Sequence, residues 1–75
     1  MAARDPDQMR LKLRKLLIAA RNAKGLTQAQ LAERFGRHQN FVHACETSRR
    51  IEVVELIQIS EALGLDPKAV LDEIR

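Results

Sequence analysis

Apolar residues recur at helical spacing along most of the chain, and turn and capping residues separate the helical segments. After the polar stretch MAARDPDQ, the segment MRLKLRKLLIAARNAK has apolar positions three and four residues apart. This spacing predicts an amphipathic first helix over residues 8–24, capped by Asp7 and ended by Gly25. Its inward face is expected to hold Leu13, Leu17, Ala20 and Lys24, widened by Leu16 and Ala23.

Two short helices joined by a tight turn are predicted next. Thr27 followed three residues later by Gln30 is a capping-box pattern, and it opens a second helix over residues 28–35. Gly36 supplies the turn because glycine tolerates positive φ. A third helix is predicted over residues 39–47. The residues expected to face inward from these two helices are Leu31, Ala32, Phe35, Val42 and Cys45.

The last third of the chain predicts two more helices. The polar stretch TSRRIE lacks periodicity and is expected to be a loop, followed by a fourth helix over residues 53–63. Asp66 and Pro67 are an N-cap and first-position pair that opens a short fifth helix. The apolar positions are Val53 or Val54, Leu56, Ile57, Ile59, Ala62 and Leu63, then Val70, Leu71 and Ile74.

The fold class expected from this pattern is all-α, a compact five-helix bundle forming a single domain over residues 1–75. Composition agrees, because a chain with no Trp, no Tyr and only two Phe has an aliphatic core suited to packed helices. Residues 1–7 are expected to form a disordered N-terminal extension without the apolar core of a signal peptide. With no membrane-length apolar run and a single cysteine, a cytoplasmic location is expected.

Charge is distributed unevenly along the chain. The net charge of +3 divides into +5 over residues 1–24, +2 over residues 25–50 and −4 over residues 51–75. A basic front and an acidic back suit a protein that presents one face to a polyanion.

The second and third helices have the spacing of a helix-turn-helix, in which Ala32 allows the two helices to cross closely. The motif GLTQAQLAERFG, then Gln39, Val42 and Glu46, then ALGLDP, resembles the Xre-type family that includes phage repressors and Cro-like proteins. The resemblance covers roughly residues 11–74. It implies a five-helix phage-repressor-like domain that binds operator DNA, usually as a symmetric dimer, with the third helix in the major groove.

The resemblance also implies roles for individual residues. Base reading falls to Gln39, Asn40 and His43. Contacts to the DNA backbone fall to Thr27, Gln28, Arg37, Arg49 and Arg50, with Gln28 also bracing the first reading residue. Arg21 and Glu46 match a structural ion pair. Departures from the family pattern include Arg37, Ala44 and Ser48, and also His38, which stands where Ser or Thr often caps the third helix; a weaker cap, or one made by another group, is expected there.

His38, His43 and Cys45 raise the alternative of a metal site or a thiol nucleophile. Zinc sites need about four ligands, and residues 43 and 45 of one helix point about 200° apart at 100° per residue. Cys45 faces inward with Val42, which favours a core role over catalysis, with redox sensing as a minor hypothesis. We therefore expect no enzyme activity, no metal and no cofactor.

The function expected is a sequence-specific transcriptional regulator, most simply a repressor, that binds a palindromic operator as a homodimer. One alternative is the antitoxin of a toxin-antitoxin pair, in which the acidic last two helices hold a toxin partner. Another is a protein-interaction module without any DNA role. Salt dependence of binding distinguishes these, because phosphate contacts make affinity fall steeply with ionic strength.

Overall fold

The computed structural model describes residues 5–75, which fold into five α-helices without a strand. The helices are α1 (Pro6–Ala23), α2 (Gln28–Arg34), α3 (Gln39–Thr47), α4 (Val53–Ala62) and α5 (Pro67–Ile74). The predicted all-α five-helix architecture is confirmed, and no helix boundary moves by more than two residues from its predicted place.

The start of α1 differs from the prediction. The helix begins at Pro6, and its cap is Asp5, whose carboxylate accepts the backbone N–H of Asp7 at 2.9 Å. The prediction that Asp7 caps α1 was wrong, because Pro6 occupies the first helical position and the residue before it, Asp5, is therefore the N-cap. Pro6 and Asp7, which were expected in a disordered extension, belong to α1, and residues 1–4 of that extension lie outside the described part of the chain.

The turn between α2 and α3 is built as predicted. Gly36 has a φ of 73°, in the left-handed region that favours glycine, and the next residue, Arg37, donates its N–H to the carbonyl of Ala32 at 2.9 Å. At the start of α2, Thr27 Oγ1 accepts the N–H of Gln30 at 3.1 Å and Gln30 Oε1 accepts the N–H of Thr27 at 2.8 Å. This reciprocal pair confirms the predicted capping box.

The core is aliphatic and draws on all five helices. α2 packs most closely on α3, and α1 packs on both α3 and α5. Ala32 is only 1% exposed, which agrees with its predicted place where the helices cross. Of the predicted inward face of α1, Ala23 and Lys24 are exposed, because α1 ends beside them. The buried apolar residues are Leu13, Leu17, Leu31, Ala32, Val42, Cys45, Leu56, Ile59, Leu63, Val70 and Ile74.

The buried face of α4 is narrower than its apolar sequence suggests. Apart from Glu55, its buried residues are 56, 59, 60 and 63, which have the spacing of one helical stripe. This stripe includes the hydroxyl of Ser60, which is buried without a hydrogen-bond partner among residues 5–75. At 100° per residue, positions 53, 54 and 57 lie roughly 70° to 170° from that stripe. The large apolar side chains left exposed on α4 and α5 are Val53, Val54, Ile57 and Leu71.

Candidate nucleic-acid interface

The outward face of α3 carries the three candidate base-reading side chains. Val42 and Cys45 are buried at 2% and 3% exposure, and they fix which side of α3 packs on the core. Gln39, Asn40 and His43 are exposed. Gln39 and Asn40 form the first turn, so their amides stand at the end of α3 nearest the turn.

His38 caps α3 with its side chain. Its Nδ1 atom accepts the backbone N–H of Asn40 at 3.1 Å, which satisfies one of the donors that a helix leaves free at its start. The expectation that another group would make this cap was wrong, because the imidazole reaches the same amide that a Ser or Thr hydroxyl would. An accepting Nδ1 requires the neutral ring with its proton on Nε2.

A largely buried ion pair joins α1 to α3, and a residue of α2 contacts it. Arg21 donates from Nε to Glu46 Oε2 at 2.7 Å and from Nη2 to Glu46 Oε1 at 3.0 Å, and both side chains are at most 13% exposed. Arg21 also donates to the carbonyl of Leu26 at 2.7 Å. Gln28 was expected to brace Gln39, but its amide nitrogen donates to Glu46 Oε1 at 3.0 Å and so supports the ion pair. A bidentate pair of this kind sets the angle between α1 and the end of α3.

Glu55, on α4, organises the other side of α3 and was not singled out from the sequence. Its carboxylate is buried, and Oε2 accepts from Arg49 Nη2 at 2.8 Å and from Arg37 Nη2 at 3.3 Å. Oε1 accepts from Arg49 Nη1 and from the backbone N–H of Glu52 at 3.1 Å. Hydrogen bonds from Arg49 lower the pKa of Glu55, and burial opposes them.

The two arginines also stack on Phe41 of α3. The Cζ atom of Arg37 lies 3.9 Å from the centre of the Phe41 ring, and that of Arg49 lies 4.7 Å from it. The ring of Phe35 meets Phe41 edge to face at 6.1 Å. Guanidinium groups at either end of α3 are thus held by one carboxylate and one ring, yet each side chain remains about 40% exposed.

The sequence does not predict that Arg37, Phe41, Arg49 and Glu55 form a cluster, because these residues belong to separate elements. Glu55 stands three residues after Glu52, which is capping-box spacing, and this was the single available signal. Thr27 and Arg50, the remaining candidates for contacts with the DNA backbone, are exposed.

The reactive residues of this region are separated by the fold. Cys45 is buried, and burial raises the pKa of its thiol, which disfavours the nucleophilic thiolate. His38 is engaged in the cap, and His43 lies on the exposed face. Within residues 5–75, no group of three or more His, Cys, Asp and Glu side chains lies where it could hold a metal ion.

No helix within residues 5–75 is long and apolar enough to span a membrane.

Comparisons with known proteins agree with this geometry. A family model described as a helix-turn-helix domain matches residues 12–73. Among solved structures, an XRE-family like protein from Pseudomonas syringae pv. tomato str. DC3000 superposes with a TM-score of 0.86 at 39% sequence identity. The match covers 91% of this chain and 84% of that one. A comparison with curated proteins found no match.

The family model extends from the first half of α1 into α5, and the structural match covers 91% of the chain. The resemblance inferred from the motif is therefore confirmed across nearly the whole described chain. Together with a capped, outward-facing third helix, these matches show that the chain belongs to the Xre-type helix-turn-helix family of DNA-binding regulators.

Proposed function

We propose that this protein is a sequence-specific transcriptional regulator, most simply a repressor, which binds a palindromic operator as a homodimer. Residues 1–75 would act as a single DNA-binding domain, with α3 in the major groove. The observation that carries the proposal is the exposed row of Gln39, Asn40 and His43 on a helix whose opposite face is locked into the core.

Base recognition would begin at the first turn of α3. Gln39 and Asn40 each carry a donor and an acceptor, so each can bond adenine N6 and N7 together. His43 lies on the same exposed face, close to one turn further along, where an imidazole can donate or accept. These contacts would supply the preference for one sequence over another.

Backbone contacts would surround this reading face. The candidates are Thr27, Gln28, Arg37, Arg49 and Arg50. The positions of Arg37 and Arg49 are supported by their anchoring on Glu55, which leaves some N–H groups of each guanidinium free to donate to a phosphate. Such contacts set register and orientation and do not distinguish bases.

A second copy of the chain would complete the DNA-binding unit. In a symmetric dimer, two copies of α3 would sit about 34 Å apart and read equivalent half-sites one turn of DNA apart. The exposed apolar side chains of α4 and Leu71 of α5 supply a surface that a second copy could cover.

The test is selection of binding sites from random duplex DNA, followed by affinity measurements at several salt concentrations. We expect an inverted repeat to be enriched and affinity to fall steeply as salt rises, because each phosphate contact releases counterions. A protein that binds no duplex even at low salt would be an interaction module, and the proposal would be wrong.

The acidic last third of the chain favours one second candidate. Residues 51–75 carry a net charge of −4, which could hold a basic protein partner away from the DNA face. An antitoxin would show this arrangement. Co-expression with neighbouring reading frames tests it, and a basic partner that co-purifies and alters operator affinity would favour the antitoxin.

A further inference from the structure

A small cavity between the first half of α1 and the loop after α3 is lined mainly by arginine. Its volume is about 50 Å³. The residues that line this four-arginine pocket are Arg10, Leu13, Arg14, Arg49, Arg50 and Ile51. Two arginines come from adjacent turns of α1 and two from the loop, so the tertiary fold brings together charges that are distant in sequence.

The charge of the pocket is not balanced from within the protein. Arg10 pairs with Asp7 at 2.9 Å, and Arg49 pairs with Glu55. Among residues 5–75, neither Arg14 nor Arg50 has a carboxylate within ion-pair distance. Two positive charges therefore remain at the pocket, and like charges placed together favour the binding of an anion.

The pocket is also partly organised in advance. Arg49 is held by Glu55 and by the ring of Phe41, so this side chain loses little freedom when a ligand arrives. Leu13 is buried and Ile51 half-buried, and these apolar walls limit the water that would screen the charges.

The size and chemistry of the pocket fit one tetrahedral oxyanion. A cavity needs about 10 to 15 Å³ of such volume to hold one water, so 50 Å³ has room for a group of a few heavy atoms. Guanidinium groups present paired N–H donors whose spacing matches the oxygens of a phosphate.

We propose that the four-arginine pocket binds a phosphate group, with Arg14 and Arg50 as the residues that donate to it. The phosphate could belong to the DNA backbone beyond the bases read by α3, or to a free phosphorylated small molecule. The first source rests on the proposed DNA-binding function, and the second does not.

The first experiment uses inorganic phosphate and the whole chain. Amide chemical shifts are followed by ¹H–¹⁵N NMR as phosphate replaces chloride at constant ionic strength, for the original protein, Arg14→Gln and Arg50→Gln. Lys15→Gln is the matched control, since Lys15 is an exposed neighbour on α1 that does not line the pocket. We expect saturable shifts at residues 13, 14, 50 and 51, retained in Lys15→Gln and lost in both arginine variants.

The second experiment measures the salt dependence of binding to a selected DNA site. If the phosphate is a backbone phosphate, each arginine variant lowers the slope of log affinity against log salt by about 1, while Lys15→Gln leaves it unchanged. An unchanged slope together with lost phosphate shifts assigns the pocket to a free ligand.

The proposal is overturned if the arginine variants match Lys15→Gln in both experiments. If the original protein binds no DNA, the proposed regulatory function fails, and the NMR titration alone then decides whether the pocket holds phosphate. Circular dichroism of each variant checks that the helices are intact.

Discussion

Residues 38 to 45 show how position on a helix decides what a side chain does. The two imidazole groups differ in environment: His38 accepts a backbone N–H at the start of α3, whereas the His43 side chain is exposed to solvent. The thiol of Cys45 fills the core, where burial raises its pKa. Side chains that could share a reactive site are thus held apart by helical phase and by the turn before α3.

The His38 cap can be tested by substitution. His38→Ala should lower the free energy of unfolding by about 0.5 to 2 kcal/mol, because the N–H of Asn40 loses its acceptor. His38→Ser restores a short acceptor and should recover most of that loss. Urea denaturation at pH 7 measures both variants, and equal stabilities for alanine and serine would show that the cap contributes nothing.

Gln39 is the sharpest test of base reading. Gln39→Ala should cost on the order of 1 to 3 kcal/mol on the preferred DNA site and relax the preference at one base pair. Fluorescence anisotropy on a panel of single-base-pair variants of the site measures this. Gln8→Ala, at another exposed glutamine, is the control and should change nothing. Equal weakening by Gln39→Ala on every sequence would contradict a base-reading role.

At the scale of elements, α3 is fixed by polar contacts at both ends as well as by its core face. The pair of Arg21 and Glu46 joins its C-terminal turn to α1. Glu55 draws Arg37, which precedes α3, and Arg49, which follows it, onto α4. If α3 reads bases as proposed, it must hold its orientation, and these contacts would supply that rigidity without using the exposed face.

Glu55 should make stability depend on pH in the acid range. Its pKa in the folded protein is lowered from 4.5, so its contribution is present above that value and is lost as pH falls through the lower folded value. Glu55→Gln should lower the free energy of unfolding at pH 7 by roughly 1 to 3 kcal/mol, since it removes hydrogen bonds to a charged acceptor.

Below about pH 4.5, the stability of Glu55→Gln should fall less steeply than that of the original protein. Thermal unfolding between pH 3 and pH 7 measures the difference. Glu61→Gln, at an exposed glutamate of the same helix, is the control. Parallel curves for Glu55→Gln and the original protein would contradict the pH prediction.

At the scale of the whole molecule, the exposed apolar residues of α4 and α5 concern assembly. Val53 and Val54 are 64% and 56% exposed, and Ile57 and Leu71 are 41% and 42% exposed. Val53, Val54 and Ile57 lie on the exposed side of one helix, and apolar side chains that form an exposed patch mark interaction surfaces. A symmetric dimer would bury each of them twice, once in each protomer.

Ile57→Glu should therefore weaken the dimer. Removing an apolar contact and adding a charge on both sides of a symmetric interface should raise the dissociation constant by roughly tenfold or more. Sedimentation equilibrium measures this, and operator affinity should fall with it. Leu11→Glu is the control, because Leu11 is 42% exposed but lies on α1. An unaltered association constant for Ile57→Glu would exclude this face of α4 as the dimer interface.

The sequence alone determined the helices, the capping box, the turn glycine and the outward phase of Gln39 and Asn40, because each depends on residues within a few positions of one another. It also contained the cap of α1, since Asp5 and Pro6 repeat the pair formed by Asp66 and Pro67.

Only the tertiary structure decided which side of α4 is buried, how Glu55 joins Arg37 and Arg49 over Phe41, and how four arginines come to line one pocket. These features join side chains from separate helices and loops. Their positions depend on how the helices pack, and spacing along a single helix carries no record of that packing.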